Sequence, residues 1–173
     1  MSKPNLIFLI GYRGSGKTTV ARLLAEKLGW AWLDADALLE ERAGKTIRQI
    51  FEADGEASFR DLESAVLCDL CQLGNHVIAT GGGVVLREEN RACLKQGKVV
   101  WLKAPAAVLW QRLQVDATTR ERRPNLAQGG LAEIEEMLRV REPIYHACQE
   151  FTVDASGGTA SEISDAIFAW IQH

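Results

Sequence analysis

One segment near the amino terminus combines residues that suit phosphate binding. Residues 11–18 read GYRGSGKT, which has the spacing G-x-x-x-x-G-K-[ST]. Glycines let a backbone wrap closely around phosphate oxygens, and the N–H groups of such a loop and of the helix start after it attract an anion. In this pattern the lysine reaches the β- and γ-phosphates, and the hydroxyl after it joins a Mg²⁺ shell. The segment therefore predicts a nucleoside triphosphate site that uses Lys17 and Thr18.

The elements on either side favour this prediction over a simple tight turn. An apolar run at 6–10 predicts a buried strand before the loop, and a helical pattern at about 17–28 follows it. A strand–helix turn alone would leave the Lys-Thr pair unexplained. The residues that we expect to contact the phosphates are Gly14, Ser15, Gly16, Lys17, Thr18 and Thr19.

Carboxylates and glycines follow the next two predicted strands. The strand at 30–33 leads into Asp34-Ala35-Asp36, and the strand at 77–80 leads into Gly81-Gly82-Gly83. Loops at the carboxyl ends of parallel strands converge on one crevice, so both segments are expected beside the phosphate loop. One carboxylate near Mg²⁺ and one near an acceptor hydroxyl would suit phosphoryl transfer. The alternatives are a solvated strand end or a helix N-cap by Asp36. The glycines would admit a small polar ligand close to the backbone, or form only a loose turn.

Several arginines could hold anionic groups. Arg60 and Arg141 lie in predicted helices. If both face the crevice, their planar guanidinium groups could grip a carboxylate; otherwise they are exposed helix residues. The segment 116–125 breaks every periodicity, and its Arg120, Arg122 and Arg123 could meet a triphosphate on loop closure or form a charged surface loop.

Composition and charge restrict the class of protein. The chain has 173 residues, 47% of them hydrophobic, and a net charge of −3, which fits one domain with a substantial core. No global basic field indicates nucleic acid, and no apolar run approaches the roughly 18 residues of a membrane span. Residues 1–5 run straight into the first strand, leaving no room for a signal peptide. We therefore expect a cytoplasmic protein without nucleic-acid or membrane partners, and a monomer.

The cysteines are open to more than one interpretation. Cys68 and Cys71 form a C-x-x-C pattern, which is typical of redox chemistry or of half a zinc site. The pattern lies within a helix predicted over about 58–72, and no second pair stands at metal spacing. Reduced thiols on or beside a helix face are therefore expected.

The order of apolar and periodic segments predicts the fold class. Five short apolar strands alternate with longer helical patterns, which is typical of an α/β domain with a mostly parallel sheet. No internal repeat or linker divides the chain. We predict a single domain over 1–173, with a five-stranded parallel sheet flanked by helices in three layers.

The motifs together resemble the shikimate kinase family from end to end. Besides the phosphate loop, the matching pieces are Asp34-Ala35-Asp36, Phe59-Arg60-x-x-Glu63, Thr80-Gly81-Gly82-Gly83, Arg123-Pro124 and Arg141-x-Pro143-x-Tyr145. The loop is shared by many NTPases, whereas the other pieces together are specific. The resemblance implies a nucleoside-monophosphate-kinase-like P-loop fold, with a substrate-binding segment at about 34–62 and a mobile lid at about 114–127. It also implies transfer of the ATP γ-phosphate to the 3-hydroxyl of shikimate, in aromatic amino-acid biosynthesis.

The resemblance further implies a role for each site residue. Asp36 would contact the acceptor hydroxyl as its base or orienter, and Lys17 would stabilise charge on the transferring phosphoryl group. Thr18 would ligate Mg²⁺, with Asp34 supporting the ion. The residues implied to hold shikimate are Asp36, Arg60, Gly81, Gly82, Gly83 and Arg141. The further ATP contacts implied are Arg112, at the adenine, and Arg123, in the lid, where Asn125 departs from the common family sequence.

Two other functions fit parts of the sequence. Another small-molecule P-loop kinase, acting on gluconate or a nucleoside monophosphate, would share the phosphate loop but lack the triple glycine. A nucleotide-sensing module would also share the loop, but its acceptor residues would be eroded. Asp36, Arg60 and Arg141 are all present, which favours the shikimate kinase interpretation.

Overall fold

The computed structural model describes residues 4–116 and 129–173. In these ranges one parallel sheet has the strand order β2-β3-β1-β4-β5. The strands are β1 (Leu6–Ile10), β2 (Ala31–Asp34), β3 (His76–Ala79), β4 (Lys98–Lys103) and β5 (Phe151–Asp154). The predicted five-stranded parallel sheet is confirmed.

Seven α-helices are present in the described part of the chain. They are α1 (Lys17–Leu28), α2 (Ala35–Ala43), α3 (Ile47–Leu70), α4 (Glu88–Leu94), α5 (Ala106–Val115), α6 (Gly130–Cys148) and α7 (Ala160–Gln172). A short 3-10 turn, Val84–Leu86, precedes α4. Within the described ranges, none of these helices has the length and apolar character needed to span a membrane.

The central strand β1 explains the three layers. All five of its residues are buried, as expected for a parallel strand that is covered on both faces. Side chains alternate along a strand, so Phe8 and Ile10 face a layer that includes residues of α3, α4 and α6. Ile7 and Leu9 face the opposite layer, which is formed by α1 and α7.

The helix predicted over about 58–72 is longer at its amino-terminal end. α3 begins at Ile47, where Thr46 and Gln49 form a capping box with reciprocal hydrogen bonds. The expected polar break does not end the helix; the structure has only a kink at Gly55, whose φ and ψ are 84° and 174°. Because of the kink, one helix contains both the buried Ile47 in its first turn and the later segment with Arg60.

The register of the sheet brings three strand ends to the same level. Leu9 of β1 pairs with Ala79 of β3, and Ala79 pairs with Asp34 of β2. The segments that follow these strands are the phosphate loop, α2 and the triple-glycine turn. They therefore meet at one edge of the sheet, where ligands bind in open α/β folds.

Candidate active site

The phosphate loop, residues 11–18, joins the end of β1 to the start of α1. Gly11, Gly14 and Gly16 have φ values of 146°, 84° and 93°, which side-chain-bearing residues rarely adopt. At Gly11 a side chain is also excluded sterically, since a Cβ would lie 2.6 Å from the carbonyl oxygen of Leu102. The loop therefore needs glycine for its path, and it ends at the positively polarised N-terminus of α1.

Lys17 is the first residue of α1, and its side chain folds back over the loop. Its ammonium group donates to the carbonyl oxygens of Gly11, at 2.6 Å, and Tyr12, at 3.1 Å. Burial lowers the pKa of Lys17 from 10.5 to about 7; the carboxylate of Asp36 opposes this shift and the guanidinium of Arg13 adds to it. An anionic ligand placed here would therefore raise the pKa of the lysine again.

Asp34, the last residue of β2, connects the phosphate loop to α2. One of its carboxylate oxygens accepts a 2.7 Å hydrogen bond from the Thr18 hydroxyl. The other accepts a 3.1 Å bond from the backbone N–H of Ala37 and so caps α2. The helix cap is thus Asp34, and the alternative that Asp36 serves as the cap is wrong.

A cavity of about 530 Å³ lies at the ends of β1, β2 and β3. On the predicted nucleotide side its lining includes Gly14, Gly16, Lys17, Thr18, Thr19 and Arg112. On the predicted acceptor side it includes Asp36 and Gly82, and Asp34, which is predicted to support Mg²⁺, also lines it. Ser15 is buried within the loop at 1% exposure. One cavity therefore brings the phosphate loop together with both aspartates and the triple-glycine turn.

The turn Gly81-Gly82-Gly83 packs closely against charged side chains. A Cβ at Gly81 would lie 2.7 Å from a carboxylate oxygen of Glu63 and 2.9 Å from one of Asp36. A Cβ at Gly83 would overlap the guanidinium of Arg60. The alternative of a loose turn is therefore wrong, because these glycines admit side chains that approach from neighbouring helices.

The two helix arginines are buried beside this turn. Arg60 and Arg141 are each only 7% exposed, so the alternative of exposed helix arginines is wrong. Arg60 forms a 2.8 Å ion pair with the buried carboxylate of Glu63. The guanidinium of Arg141 lies 5.7 Å from the ring centroid of Tyr12, and one of its nitrogens is 3.5 Å from where a Gly82 Cβ would be. Two buried cations at one turn form a place where an anionic group would be favoured.

Arg112 connects the phosphate loop to the end of β5. Its guanidinium donates to the carbonyl oxygen of Gly14 at 3.2 Å and to that of Ala155 at 2.6 Å. The side chain lines the cavity on the nucleotide side. Its predicted contact with adenine stays a prediction.

Two charged residues of the site had no role assigned from the sequence. Arg13 lines the cavity close enough to Lys17 to influence the lysine's pKa. It occupies a free position of the loop pattern, so the pattern carries no signal for it. Glu63 pairs with Arg60 across an i,i+3 spacing, and that spacing on a predicted helix could have indicated the pair.

The lid arginines and the cysteines that the sequence analysis singled out are not part of the cavity as the structure describes it. Arg120, Arg122 and Arg123, together with most of the lid expected at 114–127, fall outside the described residues. All four cysteines are free thiols, and the buried Cys71 donates to the carbonyl oxygen of Cys93 at 3.4 Å. Across residues 4–116 and 129–173 no group of three or more histidine, cysteine or acidic residues is arranged to hold a metal.

Comparison with known proteins indicates the family. A family model described as shikimate kinase matches residues 13–172. A shikimate kinase from Rhodopirellula baltica is 44% identical over 163 residues, covering 93% of this chain and 87% of the relative. A shikimate kinase from Moorella thermoacetica is 41% identical over 174 residues, covering 98% of each chain.

Solved structures agree with this assignment. A shikimate kinase from Acinetobacter baumannii in complex with shikimate has a TM-score of 0.92 and 36% identity, covering 98% of this chain and 93% of that one. A gluconokinase from Sinorhizobium meliloti, with a TM-score of 0.64 and 18% identity over 99% of this chain and 94% of that one, shows the fold alone. The predicted fold class and the predicted function, a shikimate kinase acting as an ATP-dependent phosphotransferase, are confirmed. The chain belongs to the shikimate kinase family.

Proposed function

We propose that the chain transfers the γ-phosphate of ATP to the 3-hydroxyl of shikimate, giving shikimate 3-phosphate and ADP. The observation that carries this proposal is the burial of Arg60 and Arg141 at one turn, beside a cavity that contains Asp36 and the phosphate loop. Shikimate offers what such a site requires, because it has a carboxylate for the arginines and ring hydroxyls for Asp36.

On the acceptor side, the two arginines hold the substrate carboxylate. Planar guanidinium groups bind carboxylates with paired hydrogen bonds, which fix orientation as well as position. With the carboxylate held, the ring presents its hydroxyl towards Asp36, which lines the same cavity. Asp36 accepts the hydroxyl proton or orients the hydroxyl oxygen for attack, while the backbone of residues 81–83 forms the wall of the pocket.

On the donor side, the phosphate loop binds the triphosphate. The first turn of α1 attracts the phosphates, and the residues that line the loop side of the cavity surround them. Lys17 exchanges its present carbonyl partners for phosphate oxygens. In phosphoryl transfer most of the rate enhancement comes from positioning and charge stabilisation, and Lys17 supplies a positive charge at the transferring group.

Mg²⁺ is the cofactor that we propose, with Thr18 and Asp34 as the residues that would hold it. The two side chains fit this ion, since a hydroxyl and a carboxylate oxygen lie 2.7 Å apart at the cavity wall. Protein-bound Mg²⁺ commonly uses one or two carboxylates together with substrate phosphates and water. When bound, the ion would neutralise charge on the phosphates.

The remaining parts of the proposal rest on the family resemblance. Arg112 packs on the adenine, and Arg123 contacts ATP from a lid at about 114–127. Residues 1–173 form one kinase domain, whose substrate-binding segment is about 34–62. We place the enzyme in the cytoplasm as a monomer; its four free thiols suit a reducing compartment.

An acceptor comparison tests the proposed function. ADP release would be measured with ATP, Mg²⁺ and, in turn, shikimate, quinate, gluconate or CMP. We expect shikimate to be strongly preferred, with little release in the absence of an acceptor. Preference for gluconate or CMP, or release that does not depend on shikimate, would refute the acceptor assignment. Nucleotide binding without turnover of any acceptor would favour a sensing module.

A further inference from the structure

Tyr145 lies on α6, one helical turn after Arg141, and is completely buried at 0% exposure. Its ring packs against Trp101 of β4, with the ring centroids 5.7 Å apart. A buried tyrosine needs partners for its hydroxyl, because an unpaired polar group in the core is costly. The hydrogen bond that this hydroxyl makes connects Tyr145 to the acceptor pocket.

The Tyr145 hydroxyl holds the turn next to Arg141. It donates to the carbonyl oxygen of Gly82 at 2.5 Å, and a guanidinium nitrogen of Arg141 lies 3.5 Å from where a Gly82 Cβ would be. Burial raises the pKa of Tyr145 to about 12, although the positive charges of Arg141 and Arg60 act in the opposite direction. The phenol therefore keeps its proton at neutral pH and donates it to the Gly82 carbonyl.

The bond to Gly82 is unlike those of the neighbouring carbonyl groups. The carbonyl oxygens of Gly81 and Gly83 accept local backbone bonds from Val84 and Leu86, at 3.2 and 3.1 Å. The Gly82 carbonyl is held by a side chain 63 residues further along the chain. A peptide unit is planar, so a fixed carbonyl also fixes the direction of the N–H group that follows it.

We propose that Tyr145 is a positioning residue, whose hydroxyl holds the turn at Gly82 in the one arrangement next to Arg141 that fits the acceptor carboxylate. The inference deepens the proposed function and rests on it. Tyr145 acts through the turn at Gly82 and does not touch shikimate. Without the hydroxyl, the turn would sample other orientations next to Arg141, and binding of the carboxylate would have to restore the productive one.

The variant Tyr145→Phe tests this role, because it keeps the ring packing against Trp101 and removes only the hydroxyl. We expect the KM for shikimate to rise about tenfold, as for a lost hydrogen-bond network at a binding site. The KM for ATP should stay within about twofold, and kcat at saturating shikimate should change little, since neither Lys17 nor Asp36 is affected. Steady-state kinetics in both substrates would measure this split.

Two matched variants separate positioning from general loosening of the fold. Ser164→Ala removes another completely buried hydroxyl, which bonds to the carbonyl of Ser161 at 2.7 Å on α7. Trp101→Phe perturbs the packing of the same Tyr145 ring but keeps its hydroxyl. Both should leave the KM for shikimate near the wild-type value, with all assays run well below each variant's Tm.

Three results would overturn the inference. They are an unchanged KM for shikimate in folded Tyr145→Phe, an equal rise in the KM for both substrates, and the same rise in Trp101→Phe as in Tyr145→Phe. If Tyr145→Phe fails to fold, a clear rise in the KM for shikimate in Trp101→Phe would still overturn the inference, because it would assign the role to ring packing. Failure of the wild-type enzyme to use shikimate would instead refute the proposed function.

Discussion

The phosphate loop and the acceptor pocket lie side by side, but they are built in different ways. The loop is one continuous segment whose shape depends on glycine φ angles and on bonds from Lys17 to its own loop carbonyls. The acceptor pocket is assembled from α2, α3, the turn after β3, and α6. Its members are held by contacts between side chains and distant backbone, such as the bond from Tyr145 to Gly82.

This difference has a consequence for function. A continuous loop carries its own geometry wherever a strand and a helix flank it, so it specifies a phosphate ligand in many contexts. The acceptor pocket exists only when four separate elements are packed correctly. We therefore expect substitutions in the two halves to affect the two substrates separately, and the following variants test that separation.

The largest effect is expected for Asp36→Asn. Loss of a residue that accepts or orients the acceptor proton commonly lowers kcat by about 10²- to 10⁴-fold. Affinity for ATP should be nearly unchanged, because the phosphate loop is intact. Asp165→Asn is the matched control, since it removes an exposed carboxylate that pairs with Lys27 far from the cavity. Near-normal kcat in Asp36→Asn would contradict the assigned role.

Gly83→Ala should weaken acceptor binding by steric displacement. The backbone at Gly83 has φ −97° and ψ 8°, which alanine tolerates, so the only new feature is a methyl group against Arg60. Overpacking of this kind costs about 1–3 kcal/mol, and we expect the KM for shikimate to rise by about ten- to a hundredfold with little change for ATP. Steady-state kinetics, with each substrate varied in turn, would measure the KM for shikimate and the KM for ATP.

Gly74→Ala is the control for this variant. A Cβ at Gly74 would meet nothing within 4 Å, so both KM values should equal those of the wild type. If Gly83→Ala behaves like Gly74→Ala, Arg60 does not hold the substrate where we place it.

The smallest effect concerns protonation of Lys17. Its pKa is about 7 before ligand binding, and phosphate should raise it, because an anion favours the charged amine. At pH values between the pKa of free Lys17 and its higher pKa in the ATP complex, ATP binding must be accompanied by uptake of a proton. The affinity for ATP should therefore fall as the pH rises above about 7, by at most about tenfold per pH unit. Calorimetry in buffers of different ionisation enthalpy measures the uptake.

Lys17→Arg provides the control for proton uptake, because arginine stays protonated over the whole range. This variant should bind ATP without the pH-dependent uptake, whatever its affinity. Equal proton uptake in both proteins would show that another group titrates.

Most of the fold and the donor half could be predicted from the sequence. The alternation of apolar strands and periodic helices indicates the parallel sheet, because buried strands and amphipathic helices differ in period. The phosphate loop could be predicted equally well, because its residue spacing and its flanking strand and helix are local features of the sequence. The position of α3 was less predictable, because the polar residues around Gly55 interrupt a helix pattern that the structure continues through a kink.

The contacts within the acceptor pocket could not be predicted in the same way. Nothing near Arg60 or Arg141 in the sequence shows that both are buried, since burial of a cation depends on partners from other elements. The family resemblance named these residues, but it did not supply the ion pair of Arg60 with Glu63 or the hydrogen bond from Tyr145 to Gly82. Both contacts depend on tertiary packing.

The separation of the two halves is tested most directly by equilibrium titration of two variants with two ligands. Arg141→Ala and Lys17→Met would each be titrated with shikimate and with a non-hydrolysable ATP analogue in the presence of Mg²⁺. We predict that Arg141→Ala loses at least about thirtyfold in affinity for shikimate and binds the analogue normally. Lys17→Met should show the reverse. Comparable loss of both ligands in each variant would contradict the account.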